Sequence, residues 1–224
     1  MKDPWEVKEF LDQQTGRAER IYTFKRKSCK RVILGSRLAQ QLAGYTLIEK
    51  DLRSVRFWLN EIATRHYAQP KHSGHSFNHS DDRETYNLIK GLFVASLTFY
   101  GKCFTSCQGR KIKLDRLQLA PQFREGHDEL MRYRHNFAAH SGAEKFEEVI
   151  IALVFPRKKC DETPRIYHEL QQPDLAWTSD EKEISFLKIV EHALELAINK
   201  IRLLSDKILI EEVLPKGAEY WLRK

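Results

Sequence analysis

The sequence predicts a mainly α fold, a bundle of long antiparallel helices with a small appended β-hairpin. Apolar residues recur at helical spacing over three long stretches, at about 36–66, 82–107 and 180–213. Two β-rich runs, 148–155 and 165–170, flank a turn-like segment as the strands of a hairpin do. The chain has no Gly-rich phosphate loop and no strand–helix alternation typical of a nucleotide-binding sheet. We therefore expect one domain over residues 1–224, with the hairpin inserted at about 146–172.

The N-terminal region is expected to begin with a short helix within residues 1–19. Asp3 is suited to cap it, and Pro4 to occupy its first position. A basic stretch follows, with seven Lys or Arg and no acidic residue between positions 20 and 48. Tyr22 and Phe24 alternate with these cations. The pattern indicates either a phosphate-contacting surface with stacking partners or a solvated basic strand or loop. For the first interpretation the RNA-binding residues would be Lys25, Arg26, Lys27, Lys30 and Arg31.

The helices have recognisable ends. Ser36 is a suitable cap for the first long helix, and Gly44 is expected to bend or relax it. Asp81 or Asp82 is suited to cap the second, which Gln108-Gly109 would end. Ser179 or Asp180 would cap the last, with Pro215 closing it and a tail that packs through Tyr220 and Trp221 or stays loose. A second basic cluster consists of Lys102, Arg110, Lys111, Lys113 and Arg116, and we expect Arg110, Lys111 and Lys113 of this cluster to contact RNA.

Composition bounds the protein class. Hydrophobic residues make up 42% of the 224 residues, so the chain should bury a sizeable core. The net charge of +7 favours a polyanionic partner. The four cysteines form no CxxC pair, which is typical of a reducing compartment. There is no signal-peptide pattern and no apolar run long enough for a membrane helix, so we expect a cytoplasmic protein without a membrane partner.

A polar loop at 69–82 contains three histidines, His72, His75 and His79. Imidazoles at this spacing can converge on zinc, but structural zinc sites usually bring their ligands in fixed pairs from two elements, and this loop has no Cys partner. A solvated His-, Ser- and Asn-rich loop is the favoured interpretation, and we expect neither a metal nor another cofactor.

The segment 125–142, EGHDELMRYRHNFAAHSG, holds the residues best suited to chemistry. Its apolar spacing predicts a helix that Gly142 ends as a left-handed cap. Arg134 can grip a phosphate, His140 can transfer a proton, and Asn136 can orient either group. RNA suits these groups because its 2′-hydroxyl can attack the adjacent phosphate without a metal.

Geometry limits this interpretation. Arg134 and His140 would lie about 9 Å apart along a regular helix and point about 120° apart. Convergence therefore requires a distorted helix near residues 137–140, or two copies that pool their residues across a two-fold interface. A purely structural role is the alternative, with Arg134 in a surface ion pair and His140 near a helix C-terminus.

The segment ELMRYRHNFAAHSG resembles the motif of the HEPN superfamily (higher eukaryotes and prokaryotes nucleotide-binding domains). In that motif an Arg is followed, after four to six residues, by a His near the end of a bundle helix. Arg134 and His140 fit with a gap of five residues, and Ala139 before the histidine resembles the helical proteins of bacterial abortive-infection systems. The triplet Arg134-His135-Asn136 departs from the Arg-Asp-Lys type found there. The resemblance covers about residues 92–143.

The resemblance implies a HEPN-like helical bundle and a metal-independent endoribonuclease, dimeric through the motif helix, in phage defence or a toxin–antitoxin system. It implies that Arg134 polarises the phosphate, His140 transfers protons and Asn136 positions one of them, with His135 as an auxiliary residue. Further partners would be an antitoxin, a regulatory protein or a structured RNA. The alternative is a non-catalytic HEPN-fold module that binds RNA or a protein.

Overall fold

Helices predominate in the computed structural model, which describes residues 3–67, 83–106, 109–135, 148–156, 163–171 and 185–224. Two small antiparallel sheets accompany the helices in these residues. The mainly α fold class predicted from the sequence is therefore confirmed. The chain divides into two compact units, one formed by Met1–Gln40 with Leu203–Lys224 and the other by Gln41–Arg202.

The N-terminal unit contains a three-stranded antiparallel sheet of order β1-β2-β3. Its strands are Trp5–Leu11 (β1), Ala18–Phe24 (β2) and Lys27–Ser28 (β3). The helix predicted within residues 1–19 is therefore wrong. Apolar and polar residues alternate along the start of β1, which is the pattern of a strand, and the Asp3-Pro4 pair suggested a helix start instead. The Asp3 carboxylate does accept a hydrogen bond from the Trp5 N–H, at 3.0 Å, but it precedes a strand.

A tight loop turns β1 into β2. The Asp12 N–H donates to the Arg17 carbonyl at 2.9 Å, and the Gly16 N–H donates to the Asp12 carbonyl at 2.8 Å. Gly16 has a φ of 65°, which glycine adopts without steric cost. The loop thereby fixes a register in which Trp5 pairs with Phe24 and Leu11 with Ala18.

The C-terminal residues of this unit fold back on themselves. Helix α4 (Phe186–Ile208) passes through a π turn and a 3-10 turn into a short helix over Gly217–Arg223. The Trp221 Nε1–H donates to the Val213 carbonyl at 3.0 Å. The tail therefore packs through Trp221, one of the two outcomes expected from the sequence. The predicted helix end near Pro215 also agrees with these boundaries.

The larger unit is built on α1 (Arg37–Tyr67), α2 (Arg83–Phe104), α3 (Pro121–Tyr133) and most of α4. The Ser36 hydroxyl accepts a hydrogen bond from the Ala39 N–H at 3.1 Å, so the predicted cap of α1 is confirmed. Buried side chains at three- and four-residue spacing give each long helix one core face. The core includes Ile48, Leu52, Val55, Leu59, Ile89, Phe93, Leu97, Tyr100, Leu130, Phe186, Ile189, Val190 and Ala193.

Three helix boundaries differ from the prediction. α4 begins at Phe186 rather than just after Ser179 or Asp180, and the Ser185 hydroxyl accepts a hydrogen bond from the Lys188 N–H at 3.3 Å. α2 ends at Phe104, three residues before the expected Cys107. α3 begins at Pro121 rather than Glu125 because a proline is well accommodated in the first turn of a helix, where its missing N–H costs no hydrogen bond. A 3-10 turn over Arg116–Gln118, capped by Asp115, leads into α3. The Asp81 or Asp82 cap of α2 and the Gly142 end of the motif helix lie outside the described residues.

The segment between α2 and α3 crosses α1 at Gly44. A Cβ on Gly44 would stand 2.7 Å from both Cβ and Cγ1 of Ile112. The sequence predicts that Gly44 bends or relaxes α1; in the structure Gly44 gives Ile112 room against the helix. The segment is also joined to α2, since the Leu114 N–H donates to the Cys103 carbonyl at 2.9 Å.

The predicted β-hairpin is confirmed. Strands β4 (Glu148–Val154) and β5 (Arg165–Gln171) pair antiparallel, with Val149 opposite Leu170 and Val154 opposite Arg165. Apolar residues on both faces of β4 are exposed: Val149, Ile150, Ile151, Leu153 and Val154. The hairpin therefore contributes little to the core described above.

Candidate functional site

Arg134 lies where α3 widens into a π-type turn together with His135. The Arg134 N–H is shared between the carbonyls of Leu130 and Met131. His127 and Leu130, seven and four residues before Arg134, are buried on the same face of the helix, so this face points toward the core. Arg134 is half-buried and His135 is exposed. π turns inside helices occur frequently at functional sites.

The Arg134 side chain passes directly over Gly101 of α2. A Cβ at Gly101 would stand 3.0 Å from Cδ, 3.1 Å from Cγ and 3.2 Å from Nε of Arg134. Such distances are shorter than ordinary van der Waals contact, so only glycine leaves this path open without displacing the arginine. Packing of the methylene stem against α2 reduces the conformations open to the guanidinium. A positioned guanidinium of this kind is suited to binding a phosphate with two hydrogen bonds.

The neighbouring residue of α2, Tyr100, forms a buried pair with His127. The Tyr100 hydroxyl lies 2.8 Å from Nδ1 of His127 and donates to it when the imidazole proton is on Nε2. Burial lowers the pKa of His127 and raises the pKa of Tyr100 well above its usual value, so both groups are neutral near pH 7. Because His127 is only 5% exposed, it orients α3 against α2 rather than meeting a ligand.

An exposed ion pair connects α3 to the 3-10 turn that precedes it. The Arg116 guanidinium donates from Nε to Asp128 Oδ1 at 2.7 Å and from Nη2 to Oδ2 at 2.6 Å. This bidentate geometry is the strongest form of the pair. The hydrogen bonds from Arg116 hold the pKa of Asp128 below its usual value. Arg116, one of the predicted second basic cluster, is therefore occupied by a carboxylate.

Three cations surround one buried carboxylate of α1. Asp51, 1% exposed, accepts ion pairs from Lys50, Lys102 and Arg110, each at 3.2 Å. Arg110 also donates to the Lys102 carbonyl. Its side chain is 4% exposed. Arg110, which the sequence predicts to contact RNA, instead has its guanidinium buried against Asp51.

Cys103 follows in the same turn of α2 and is also buried. Its Sγ lies 3.2 Å from the Phe99 carbonyl and 3.9 Å from the Ile48 carbonyl. Burial raises the pKa of the Cys103 thiol to about 12. The thiol is thus protonated and unreactive, as expected for a small core residue.

The remaining predicted site residues are either exposed or outside the described residues. Lys111 and Lys113 are exposed on the segment that crosses α1. Asn136 and His140 lie outside the described residues, as do His72, His75 and His79. Among the residues that it describes, no group of three or more His, Cys, Asp or Glu is arranged to hold a metal ion.

The predicted N-terminal cations are exposed, and one of them, Lys30, is also hydrogen-bonded to the backbone. Lys25 and Arg26 form the two-residue turn between β2 and β3 and are both exposed. Lys27 begins β3, and Arg31 is exposed beyond it. Lys30 Nζ donates to the Leu222 carbonyl at 2.7 Å, so it satisfies the end of the C-terminal helix.

Sequence reasoning missed Asp51, Tyr100, His127 and Gly101. Asp51 offered a signal, since it occupies a core position of an otherwise apolar helical stripe. His127 offered another, because it is seven residues from Arg134 and therefore on the same face of α3. His192 was also missed. Its Nε2 accepts from the Ala120 N–H at 3.1 Å and its ring stacks on Phe123, so it caps the start of α3 from α4.

The chain was compared with protein-family models, curated proteins and solved structures. No family model matches the chain, and neither a curated protein nor a solved structure is similar enough to count as a match. None of the described helices has the length and apolar character that a bilayer span requires.

Proposed function

We propose that the protein is a metal-independent endoribonuclease of the HEPN type. The supporting observation is the position of Arg134, half-buried in a π-type turn at the end of α3 with its side chain laid across Gly101. A guanidinium fixed at a helix end is the group that stabilises negative charge on a phosphate as it develops. The helical core and the net charge of +7 agree with a HEPN-like bundle acting on RNA.

In this reaction the 2′-oxygen of a ribose attacks the adjacent phosphorus and the bond to the 5′-oxygen breaks. The 2′-hydroxyl proton is removed and a proton is delivered to the departing 5′-oxygen. The products are a 2′,3′-cyclic phosphate and a 5′-hydroxyl end. Arg134 binds the non-bridging oxygens, His140 transfers protons, Asn136 positions one of these groups, and the exposed His135 supplements them. No metal takes part in any step.

The test is cleavage of mixed RNA in EDTA by the wild type, Arg134→Ala and His140→Ala. Arg132→Ala is the matched control, because it removes one positive charge from an exposed position of the same helix. We expect cyclic-phosphate products from the wild type and the control, and none from the other two variants. Full cleavage by His140→Ala would refute the proposal.

We also propose that the active form is a homodimer that pools Arg134 of one protomer with His140 of the other. This arrangement removes the geometric difficulty of a six-residue separation on one helix. Mixing the two inactive variants then restores one intact site in each mixed dimer. Random exchange should return about a quarter of wild-type activity. A mixture that stays inactive while mixed dimers form would show that each site lies within one protomer.

The second candidate is a binding module that holds RNA without cutting it. The exposed basic turn at Lys25 and Arg26 favours it, since that surface needs no Arg134. RNA affinity without product after long incubation would select this function. The phage-defence or toxin–antitoxin setting belongs to the nuclease proposal, and expression of the active protein alone should then inhibit growth.

A further inference from the structure

The N-terminal sheet presents aromatic and basic side chains together on one face. Paired residues on neighbouring strands point to the same side, so Trp5, Phe24 and Lys27 form one row across β1, β2 and β3. The ring centroids of Trp5 and Phe24 lie 4.8 Å apart. Tyr22 and Arg20 continue this face along β2. Trp5 is 56% exposed, although a tryptophan is usually covered in a folded protein.

The turn beside this row has an unusual backbone. Lys25 and Arg26 have φ values of 48° and 64°, and they join β2 to β3 as a two-residue loop. Positive φ at both positions is the requirement of a type I′ turn, for which Asn-Gly is the preferred sequence. A Cβ makes positive φ sterically unfavourable, so two long cationic residues are unusual at these positions. Residues held in such conformations concentrate at functional sites, so the choice itself indicates a function.

The turn is held in place by its surroundings. The Lys25 N–H donates to the Pro4 carbonyl at 2.8 Å, which joins the turn to the start of β1. Lys25 Nζ lies 5.4 Å from the centroid of the Phe24 ring, within the range of a cation–π contact. The cations therefore project from a fixed support, next to the open ring of Trp5.

Charge selects the ligand class. No acidic residue occurs between Arg20 and Ile48, and the one acid on this face, Glu9, is paired with Arg20 at 3.2 Å. A surface with adjacent cations and an exposed indole suits a chain of phosphates that also offers unpaired bases. Duplexes keep their bases stacked internally, and lipid headgroups have none to offer.

We propose that this face of the sheet is a binding site for single-stranded RNA, separate from the Arg134 site. Lys25, Arg26 and Lys27 contact successive phosphates, and Trp5 stacks on a base. Lys30 is not part of this site because it is engaged with the Leu222 carbonyl. The choice of RNA rests on the proposed function, but binding here requires no cleavage.

The test is equilibrium binding of a fluorescent single-stranded RNA to full-length protein carrying Arg134→Ala, so that cleavage does not interfere. In this background Lys25→Asn/Arg26→Gly installs the preferred turn residues and removes two charges. We expect about tenfold weaker binding with an unchanged or higher Tm. The slope of log K against log salt should fall in magnitude by about 1.4, the value for two phosphate contacts on a single strand.

Two controls separate charge and turn geometry. Lys200→Ala/Arg202→Ala removes two exposed charges from α4 and should leave affinity unchanged. Lys25→Arg/Arg26→Lys keeps both charges in the turn and should bind like the parent. Trp5→Ala should weaken binding about tenfold, the effect of one lost base–aromatic stack.

Unchanged affinity in Lys25→Asn/Arg26→Gly, or loss of affinity in the charge-preserving swap, would overturn the proposal. Equal affinity for an RNA duplex would overturn the single-strand assignment, and tighter binding to anionic vesicles would assign the surface to a membrane. A wild-type protein that binds through this turn but never cuts RNA would instead refute the nuclease, so the two failures are distinguishable.

Discussion

Arg134 and Gly101 are matched in shape, with the arginine side chain occupying the space that a side chain on Gly101 would take. This relationship joins the end of α3 to α2 at Arg134, the residue proposed to bind the phosphate. It also allows the position of Arg134 to be changed without altering its chemistry.

Gly101→Ala should therefore lower RNA cleavage by about 10- to 100-fold, because a displaced guanidinium no longer meets the phosphate in the productive geometry. Stability should stay the same or rise, since alanine favours a helix interior by roughly 0.5–1 kcal/mol. Cleavage rates and thermal unfolding check this. Gly91→Ala is the matched control, as a Cβ there meets nothing within 4 Å and activity should not change.

Asp51→Ala should destabilise the protein by about 3–5 kcal/mol, because it leaves Arg110 buried without its carboxylate. Denaturant unfolding measures the loss. The double variant Asp51→Ala/Arg110→Met should recover part of it, since the buried charge is then removed as well. Glu49→Ala, which breaks the more exposed pair with Arg53, should cost less than about 1 kcal/mol. Equal losses for Asp51 and Glu49 would contradict this account.

Acidification should destabilise the fold through His127. Its pKa is lowered by burial, so the folded state resists protonation that the unfolded chain accepts. The contribution is fully present above the unfolded pKa of about 6.5 and is lost as the pH falls toward the lower folded value. Urea unfolding at pH 7 and pH 5 should show a smaller decrease for His127→Gln, whose amide accepts from Tyr100 without titrating. An identical decrease in both proteins would exclude His127 as the cause.

Gly44→Ala should cost about 1–3 kcal/mol of stability, because the new methyl group overlaps Ile112. The same change at Gly91 of α2 should not destabilise the protein. In Gly44→Ala/Ile112→Gly the overlap is removed, so the double variant should be less destabilised than the sum of its single changes. Additive losses would show that the contact has no energetic effect.

Periodicity was sufficient to predict the long helices and the β4–β5 hairpin. The Ser36 cap and the helical spacing of the apolar residues predict α1, and burial of the same apolar residues stabilises that helix. The N-terminal strands could not be predicted as readily, since both faces of β1 are exposed and no buried stripe distinguished strand from helix. In this region the Asp3-Pro4 pair indicated a helix start, although the short alternation of apolar and polar residues that follows is typical of a strand.

The residues of the candidate site could be predicted only where they lie together in one short segment of the sequence. Arg134 could be identified because the motif is local. Its support could not, because Gly101 lies 33 residues earlier and glycine has no side chain to indicate a contact. Arg110 shows the same limit, since its partner Asp51 is 59 residues away and the sequence gives only its charge.

The β4–β5 hairpin gives the protein a built-in reporter of its state of assembly. Two strands with solvent on both faces open with little free-energy cost, so their amide hydrogens should exchange with deuterium rapidly. Any molecule that covers Ile151 and Leu153 must slow that exchange. Deuterium uptake by the 148–154 peptide, followed as protein or RNA is added, would therefore detect association without a label.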